Sequence, residues 1–561
     1  YDPKNRVSGN NNMIVTYQFI SSEDHINALV TDDYFGMLDD NEAIGNSDMM
    51  DIGVGRMIVS TLDQAREQVD KVAQYMSKGI DLESGAGCNV NGANGCSSFG
   101  DWRLKYVQIA DDEESGYFIN KDTEPQYNYV ESNYPDMNAD KLYLDAYTQV
   151  TNAGGQRYPD VTAGITDRVQ RGSLVVNYVG HGGEVGMAEE RVVTIPQIQG
   201  WTNWCNLNLF VSATCEFTRF DDPSRVSAGE WAFLNAKGGA IALMTTTRSV
   251  FFGVNTNVGK AFYENVFVRD ANSKPLTFGQ IMKNTKNAAG SNANKRSFNL
   301  IGDPALRIAL PEYRIVTDSI NQNSPDNYQD TLKALSRVRI KGHVENYNGA
   351  VLTDFNGILT PAIYDKKKTS KTLGQDETSP VIDFQSQKNI LYKGKSTIKE
   401  GYFDFEFVVP KDINYTFGAG KISLYGNSET ADASGSEVRV VVGGIDPNGV
   451  VDTEGPQIKM YFNSEKFING GLTDENPILY ADLFDENGIN TVGNGIGHDV
   501  LAILDGESGD PIVLNDYYNA SLDTYQSGKL IYNFTGLEAG PHRLTLKVWD
   551  VNNNSSEGTI D

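Results

Sequence analysis

Residues 173–183 read SLVVNYVGHGG. The run Leu174 to Val179 is apolar and β-branched, too short for a helix, and it stops at a histidine set between glycines. A short apolar run bounded by glycine reads as a strand buried on both faces. Upstream, DVTAGITDRVQRG (160–172) has helical spacing and runs straight into it. Downstream, LNLFVSATC (207–215) is a second apolar strand. SAGEWAFLNAKGG (227–239) then reads as a helix with a Ser227/Glu230 capping box, and AIALMTTTRS (240–249) as a third strand. Strand, helix, strand in this rhythm predicts a parallel α/β sheet with right-handed crossovers.

The same rhythm extends toward the N-terminus. WRLKYVQIA (102–110) reads as a strand ending in the acids DDEESG, and DIGVGRMIV (51–59) as another strand. Thr61 and Gln64 form a capping box that opens a helix whose expected buried face is Leu62, Ala65, Val69, Val72, Ala73 and Met76. The pattern changes near residue 311. SRVRIKGHVEN, NGILTPAIYD, GYFDFEFVVP and GKISLYGNS are short alternating strands, which predicts a β-sandwich module over 312–447. After the linker GGIDPNGVVDTEGP (443–456), a second sandwich-like module is expected over 448–561. KKKTSK (366–371) reads as a solvated loop.

The chain has 561 residues and a formal net charge of −27. An acidic surface repels phosphates, so nucleic acid is excluded as the main partner. No run approaches the ~18 apolar residues of a membrane span. The chain opens on Tyr1-Asp2-Pro3 without methionine, as a processed or partial product would, and no signal peptide is visible. The cysteines are Cys88, Cys96, Cys205 and Cys215. Cys88 and Cys96 bracket a Gly/Asn-rich loop, where a local disulfide is expected, and with it an oxidising compartment. Metal-binding cysteine or histidine spacing is absent.

Of five histidines, His181 alone follows an apolar strand. Cys215 ends the next strand, 215 − 181 = 34 residues on, enough for one crossover and a parallel return. Both then fall at carboxyl ends of strands, where open α/β sheets place their ligands. A free thiol has a pKa of ~8.5 and needs a base beside it to act as a nucleophile at neutral pH. Gly182 and Gly183 could offer N–H groups to an oxyanion, with the N–H of Cys215 as another donor. Cys205 precedes its strand and is the weaker nucleophile candidate. His498, in GHDV, reads as structural.

VNYVGHGGE, LFVSATCEFTRFDDP and GEWAFLNAKGGAIALMTTTR resemble the gingipain family of cysteine peptidases. VTDDYFGMLD, DIGVGRM and NLIGDPALRI fit the same family, and the resemblance spans roughly residues 13–310. NPILYADLFDENGINTVGNGIGHDVLAILDG (476–506) looks like the C-terminal region of the family's sortase-like branch, which serves the type IX secretion system of Bacteroidetes. The resemblance implies a caspase-like sheet in a catalytic domain over 1–311, a nucleophile, Cys215, and a base, His181. It also implies an acid that orients the histidine, aligned with Glu113, with Asp112 next.

The activity implied is cleavage of a C-terminal signal from cargo proteins through a thioester, and their transfer to an amine of anionic lipopolysaccharide at the outer-membrane surface. The β modules would dock to the outer-membrane barrel shuttle protein PorV, or to parts of the longer chain that such an enzyme carries. A secreted endopeptidase that only hydrolyses, and an inactive surface scaffold or adhesin, are the alternatives. Gingipains read basic side chains with an acid, and MTTTRSVFFG (244–253) holds none. Thr247 and Arg248 are therefore expected to contact substrate, Arg248 by attracting a carboxylate or an anionic acceptor. No cofactor is required. Calcium as a structural ion is implied by the family, with Asp32 and Asp33 in TDDYFGMLDDNEAIGNSDMMD (31–51) as its ligands.

Overall fold

The computed structural model describes residues 14–561 apart from 20–23, 25, 45–47, 79–95, 223, 326–330, 493–496 and 507–510. The chain forms two units. The first holds residues 1–311 and 369–386, the second 312–368 and 387–561.

The first unit is built on a six-stranded sheet. Its strands are β1 (Lys105–Ala110), β2 (Asn138–Tyr143), β3 (Val175–Val179), β4 (Asn208–Ala213), β5 (Ala240–Thr246) and β6 (Phe298–Ile301), in the order β6-β5-β4-β3-β1-β2. All neighbours are parallel except β6, which runs antiparallel to β5. Apolar layers cover both faces. Along β3, Val175 and Val179 enter one layer with Trp102 and Phe262, while Val176 and Tyr178 enter the other with Trp201 and Phe210. This is the strand alternation, and it explains why β3 reads as continuously apolar.

The longer helices are α1 (Leu62–Tyr75), α2 (Glu124–Asn133), α3 (Pro159–Arg171), α4 (Ala228–Leu234), α5 (Phe252–Tyr263) and α6 (Phe278–Ala288). The capping-box contacts expected at Ser227/Glu230 form at the start of α4, and the Thr61 side chain accepts the Gln64 N–H at 3.1 Å. The buried face of α1 differs from expectation. Gln68, Lys71 and Tyr75 are buried, whereas Leu62, Val69 and Met76 are exposed. Lys71 Nζ donates to the carbonyl of Phe233 at 2.7 Å and lies 3.4 Å from that of Asn235, so it satisfies the open C-terminal end of α4. Residues 51–59 form no strand; Arg56 alone bridges Ile301. Gly53 and Gly55 press on backbone there, and a Cβ on Gly53 would stand 2.1 Å from the Gly279 carbonyl oxygen.

Residues 369–386 belong to this unit although they follow its main stretch in the chain. KKKTSK supplies the strand Lys368–Lys371, paired with Asp383–Ser386, in place of the expected loop. Phe384 is buried in the Trp102 layer. The N–H groups of Gly374 and Gln375 donate to the buried Asp145 carboxylate at 2.7 and 3.0 Å.

The second unit has two cores. Around the first, seven strands pair in a ring: Gly357–Tyr364, Ser396–Lys399, Tyr402–Val408, Arg337–Glu345, Tyr313–Ile320, Asp432–Glu437 and Lys421–Ser428, which returns to Gly357–Tyr364. The expected open sandwich is thus a sheet closed on itself. Closure leaves no free edge along those strands, and alternation along one strand cannot distinguish the two arrangements. Around the second core, two four-stranded sheets face each other.

Candidate active site

Ala213 at the end of β4 pairs with Val179 at the end of β3, and Val179 pairs with Ala110 at the end of β1. Cys215 and His181 each lie two residues past that row, and Glu113 lies three past it. Neighbouring strands are about 4.8 Å apart, so the register alone gathers a thiol, an imidazole and a carboxylate at one end of the sheet.

The histidine is held through its backbone. Its N–H donates to Asp111 Oδ2 at 2.7 Å, and its carbonyl accepts from Tyr178 Oη at 2.6 Å and from the Ala188 N–H at 3.0 Å. Glycine is needed before it, because a Cβ on Gly180 would lie 2.3 Å from Asp111 Cβ. Its ring meets Phe118 and Phe252 edge to face, with centroids 5.6 and 6.1 Å away. Nε2 stands 3.1 Å from Glu113 Oε2 and 3.5 Å from Glu114 Oε1. These are ion-pair distances; Nε2 makes no aligned hydrogen bond. Such contacts are often loose before substrate arrives. With Nε2 turned to carboxylates, Nδ1 is the nitrogen left to act as a base.

The acid-bearing loop is strained. Glu114, Ser115 and Gly116 have φ of 59°, 54° and 72°, a left-handed run costly for the first two residues. The 369–386 hairpin braces it: Ser379 Oγ donates to the Asp112 carbonyl at 2.6 Å, and a Cβ on Gly116 would lie 2.3 Å from Ile382 Cδ1. Burial raises the Glu113 carboxyl above its ordinary pKa, while the His181 charge pulls it back down.

Cys215 is a half-buried free thiol, with Sγ 3.9 Å from the Val250 carbonyl. The next residue, Glu216, has φ of 51°. Residues 182–187 fold back as a hairpin in which Gly182 faces Met187 and Gly183 faces Gly186. Since Ala188 donates to His181, the antiparallel alternation turns the Gly182 N–H away from the hairpin's own bonds and places Gly183 in a bonded position. A Cβ on Gly182 would lie 2.7 Å from Thr214 Oγ1. Glu184 anchors the hairpin through Arg219 at 2.9 Å and Arg225 at 3.0 Å.

Other expected site residues lie elsewhere. Asp112 is buried, accepts from Tyr158 Oη at 2.8 Å, and has no contact with the His181 ring among those described. Arg248 is fully buried and forms a two-pronged pair with Asp221 at 2.9 and 2.6 Å, so it is not presented to substrate. Thr247 is equally buried, donating to the Val30 carbonyl at 2.7 Å. Asp32 pairs with Arg56 at 2.6 Å, and Asp33 with Lys286 at 2.5 Å and Arg296 at 3.1 Å. These carboxylates already face cationic side chains and do not fit calcium. Cys96 pairs with Cys205, not with Cys88, which lies outside the described residues. His498 packs on Trp549 and pairs with Asp412.

The sequence reading missed Asp111, the aromatic walls Phe118 and Phe252, and the Glu184–Arg219 tie. Only Asp111 left a signal, being the first acid after an apolar strand.

A thiol and an imidazole at the mouths of adjacent parallel strands, with a carboxylate behind the imidazole, is the layout of a cysteine peptidase. The chain belongs to peptidase family C25, the gingipains, whose model matches residues 1–309. Among solved structures it is similar to dimeric latent PorU from Porphyromonas gingivalis, with 24% identity over 97% of this chain and 44% of that one, at a TM-score of 0.31. It is also similar to the Arg-specific cysteine proteinase gingipain R (RgpB), with 15% identity over 74% of this chain and 79% of that one, at a TM-score of 0.40. The chain thus spans less than half the length of the PorU chain. No curated protein matches the sequence.

Proposed function

We propose that the chain is a sortase-like cysteine transpeptidase of the type IX secretion system, acting at the outer-membrane surface on cargo proteins that carry a C-terminal signal. The observation that supports the chemistry is the register that puts Cys215, His181 and Glu113 at the same end of three neighbouring strands. His181 Nδ1 takes the thiol proton, and the thiolate attacks the peptide carbonyl before the signal. The Gly182 N–H faces the oxyanion. His181 then gives its proton to the leaving amine, and a thioester remains. Glu113 holds the imidazole through Nε2 and stabilises its charged form.

An amine of anionic lipopolysaccharide then attacks the thioester. His181 takes its proton, an amide forms, and the thiol is restored. The resemblance to the sortase-like gingipains supports this acceptor, and it supports the barrel shuttle PorV as the partner of the β unit. Water in place of the amine gives a hydrolase, the outcome that the name of the family describes.

Mass spectrometry of a cargo protein's new C-terminus, after incubation with the enzyme and an amine, distinguishes the two, with Cys215→Ala as control. An amine adduct that needs Cys215 supports transfer. A free carboxylate at every amine concentration overturns it and leaves a peptidase. Unchanged cargo removes both.

A further inference from the structure

Behind the histidine lies a group of carboxylates that the proposed chemistry does not use. Asp111, Asp112 and Glu190 are 1%, 3% and 3% exposed. One carboxylate oxygen from each lies within 4.8 Å of the others. The hydrogen bonds to them come from neutral donors: the His181 N–H to Asp111 Oδ2, the Asp112 N–H to Asp111 Oδ1, and Tyr158 Oη to Asp112 Oδ2; Tyr178 Oη, whose proton goes to the His181 carbonyl, stands 3.2 Å from Asp111 Oδ2. Asp112 Oδ1 and Glu190 Oε2 are buried and have no hydrogen-bond partner. None of the three carboxylates is in an ion pair among the described residues. This differs from Asp32, Asp33 and Asp221 in the same unit, each of which is paired with an arginine or lysine.

Buried carboxylates this close stay charged only if a positive charge joins them. Two oxygens on opposite sides of a calcium ion, each ~2.4 Å from it, stand about 4.8 Å apart. The group therefore has the spacing, the chemistry and the unfilled acceptors of a hard-cation site. We propose that Asp111, Asp112 and Glu190 bind one divalent hard cation, calcium by its size and tolerance of irregular oxygen sets, with water completing the shell.

A bound cation holds all three carboxylates in their charged form. Its place gives it a task. Asp111 holds the His181 backbone, Asp112 precedes Glu113, and Glu190 belongs to the turn after the glycine hairpin, where Ala188 and Arg191 both have φ of 60°. The ion ties the Asp111–Asp112 segment to the turn at Glu190 and fixes how the Glu113 loop stands to His181. The site does not depend on which acyl acceptor the enzyme uses.

The test compares the full chain with Glu190→Gln and Asp112→Asn, stripped with chelator and returned to calcium or magnesium. Equilibrium dialysis counts the calcium bound, and thermal unfolding reads its effect. Each substitution removes a charge while keeping shape, so the metal-free variants should unfold no lower than the metal-free parent. The proposal expects the parent to bind one calcium more than either variant, and its unfolding midpoint to rise by several degrees where theirs rises less. Equal calcium counts in all three proteins overturn it. So does a parent whose midpoint ignores calcium and rises only on acidification, because the carboxyls then share protons instead.

Discussion

Val179 and Ala213 are register partners on adjacent parallel strands, and His181 and Cys215 each follow two residues later. The pairing brings the base and the thiol to the same end of adjacent strands without a long loop to place either one. If the imidazole activates the thiol, iodoacetamide should alkylate Cys215 at pH 7 at least ~10-fold more slowly in His181→Ala than in the parent. Equal rates would mean the two side chains do not communicate.

Glu113 and Glu114 both approach His181 Nε2, at 3.1 and 3.5 Å. The nearer is assigned the orienting role. Glu113→Gln should lower kcat roughly 100-fold with little change in KM, because the acid acts on the imidazole and not on substrate. Glu114→Gln should stay within a few-fold of the parent. Steady-state kinetics of the two variants side by side decide the assignment, and a reversed order would transfer it to Glu114.

Arg248 and Asp221 form a fully buried pair. Arg248→Ala leaves a lone carboxylate inside and should cost about 3–5 kcal/mol of stability. Denaturant unfolding measures this. A variant that unfolds like the parent but shows a raised KM would return Arg248 to a substrate-reading role.

Glu230 closes the capping box of α4, taking the Ser227 N–H and hydroxyl at 2.7 Å each. Burial pushes its carboxyl up from 4.5 to about 7. The folded state therefore binds this proton more tightly than the unfolded chain, and its contribution to stability falls as pH rises from about 4.5 to about 7. The loss is on the order of 3 kcal/mol. Glutamine keeps the cap without the charge. Glu230→Gln should match the parent near pH 4.5 and exceed it at pH 8. Parallel unfolding curves at both pH values would refute the shift.

The strand–helix rhythm was legible because β1, β3, β4 and β5 are buried on both faces and read as plain apolar runs. The mouths of β3 and β4 were legible for the same reason: His181 and Cys215 are the first reactive side chains after those runs end. Contacts between distant residues were not. Nothing local marks Cys96 for Cys205, 109 residues away. Arg248 reads as a substrate contact because its partner, Asp221, lies 27 residues back on another turn. The face of α1 was misjudged because Lys71 is buried for the sake of two carbonyls, which no apolar pattern records. Residues 51–59 read as a strand, but backbone is packed against both Gly53 and Gly55, a long-range contact that no local pattern records.

The hairpin at 369–386 has a consequence for the order in which the protein can be made. The ribosome delivers Cys215, His181 and Glu113 early, but Ser379, Ile382 and Phe384 emerge only afterwards, and the hairpin ends 386 − 311 = 75 residues past the main stretch of its unit. Until then the Asp112 carbonyl lacks its Ser379 donor and Asp145 lacks two amides. A nascent chain therefore carries all three reactive groups for a time with the acid loop unbraced. A chain cut at Pro311 would stay in that state for good.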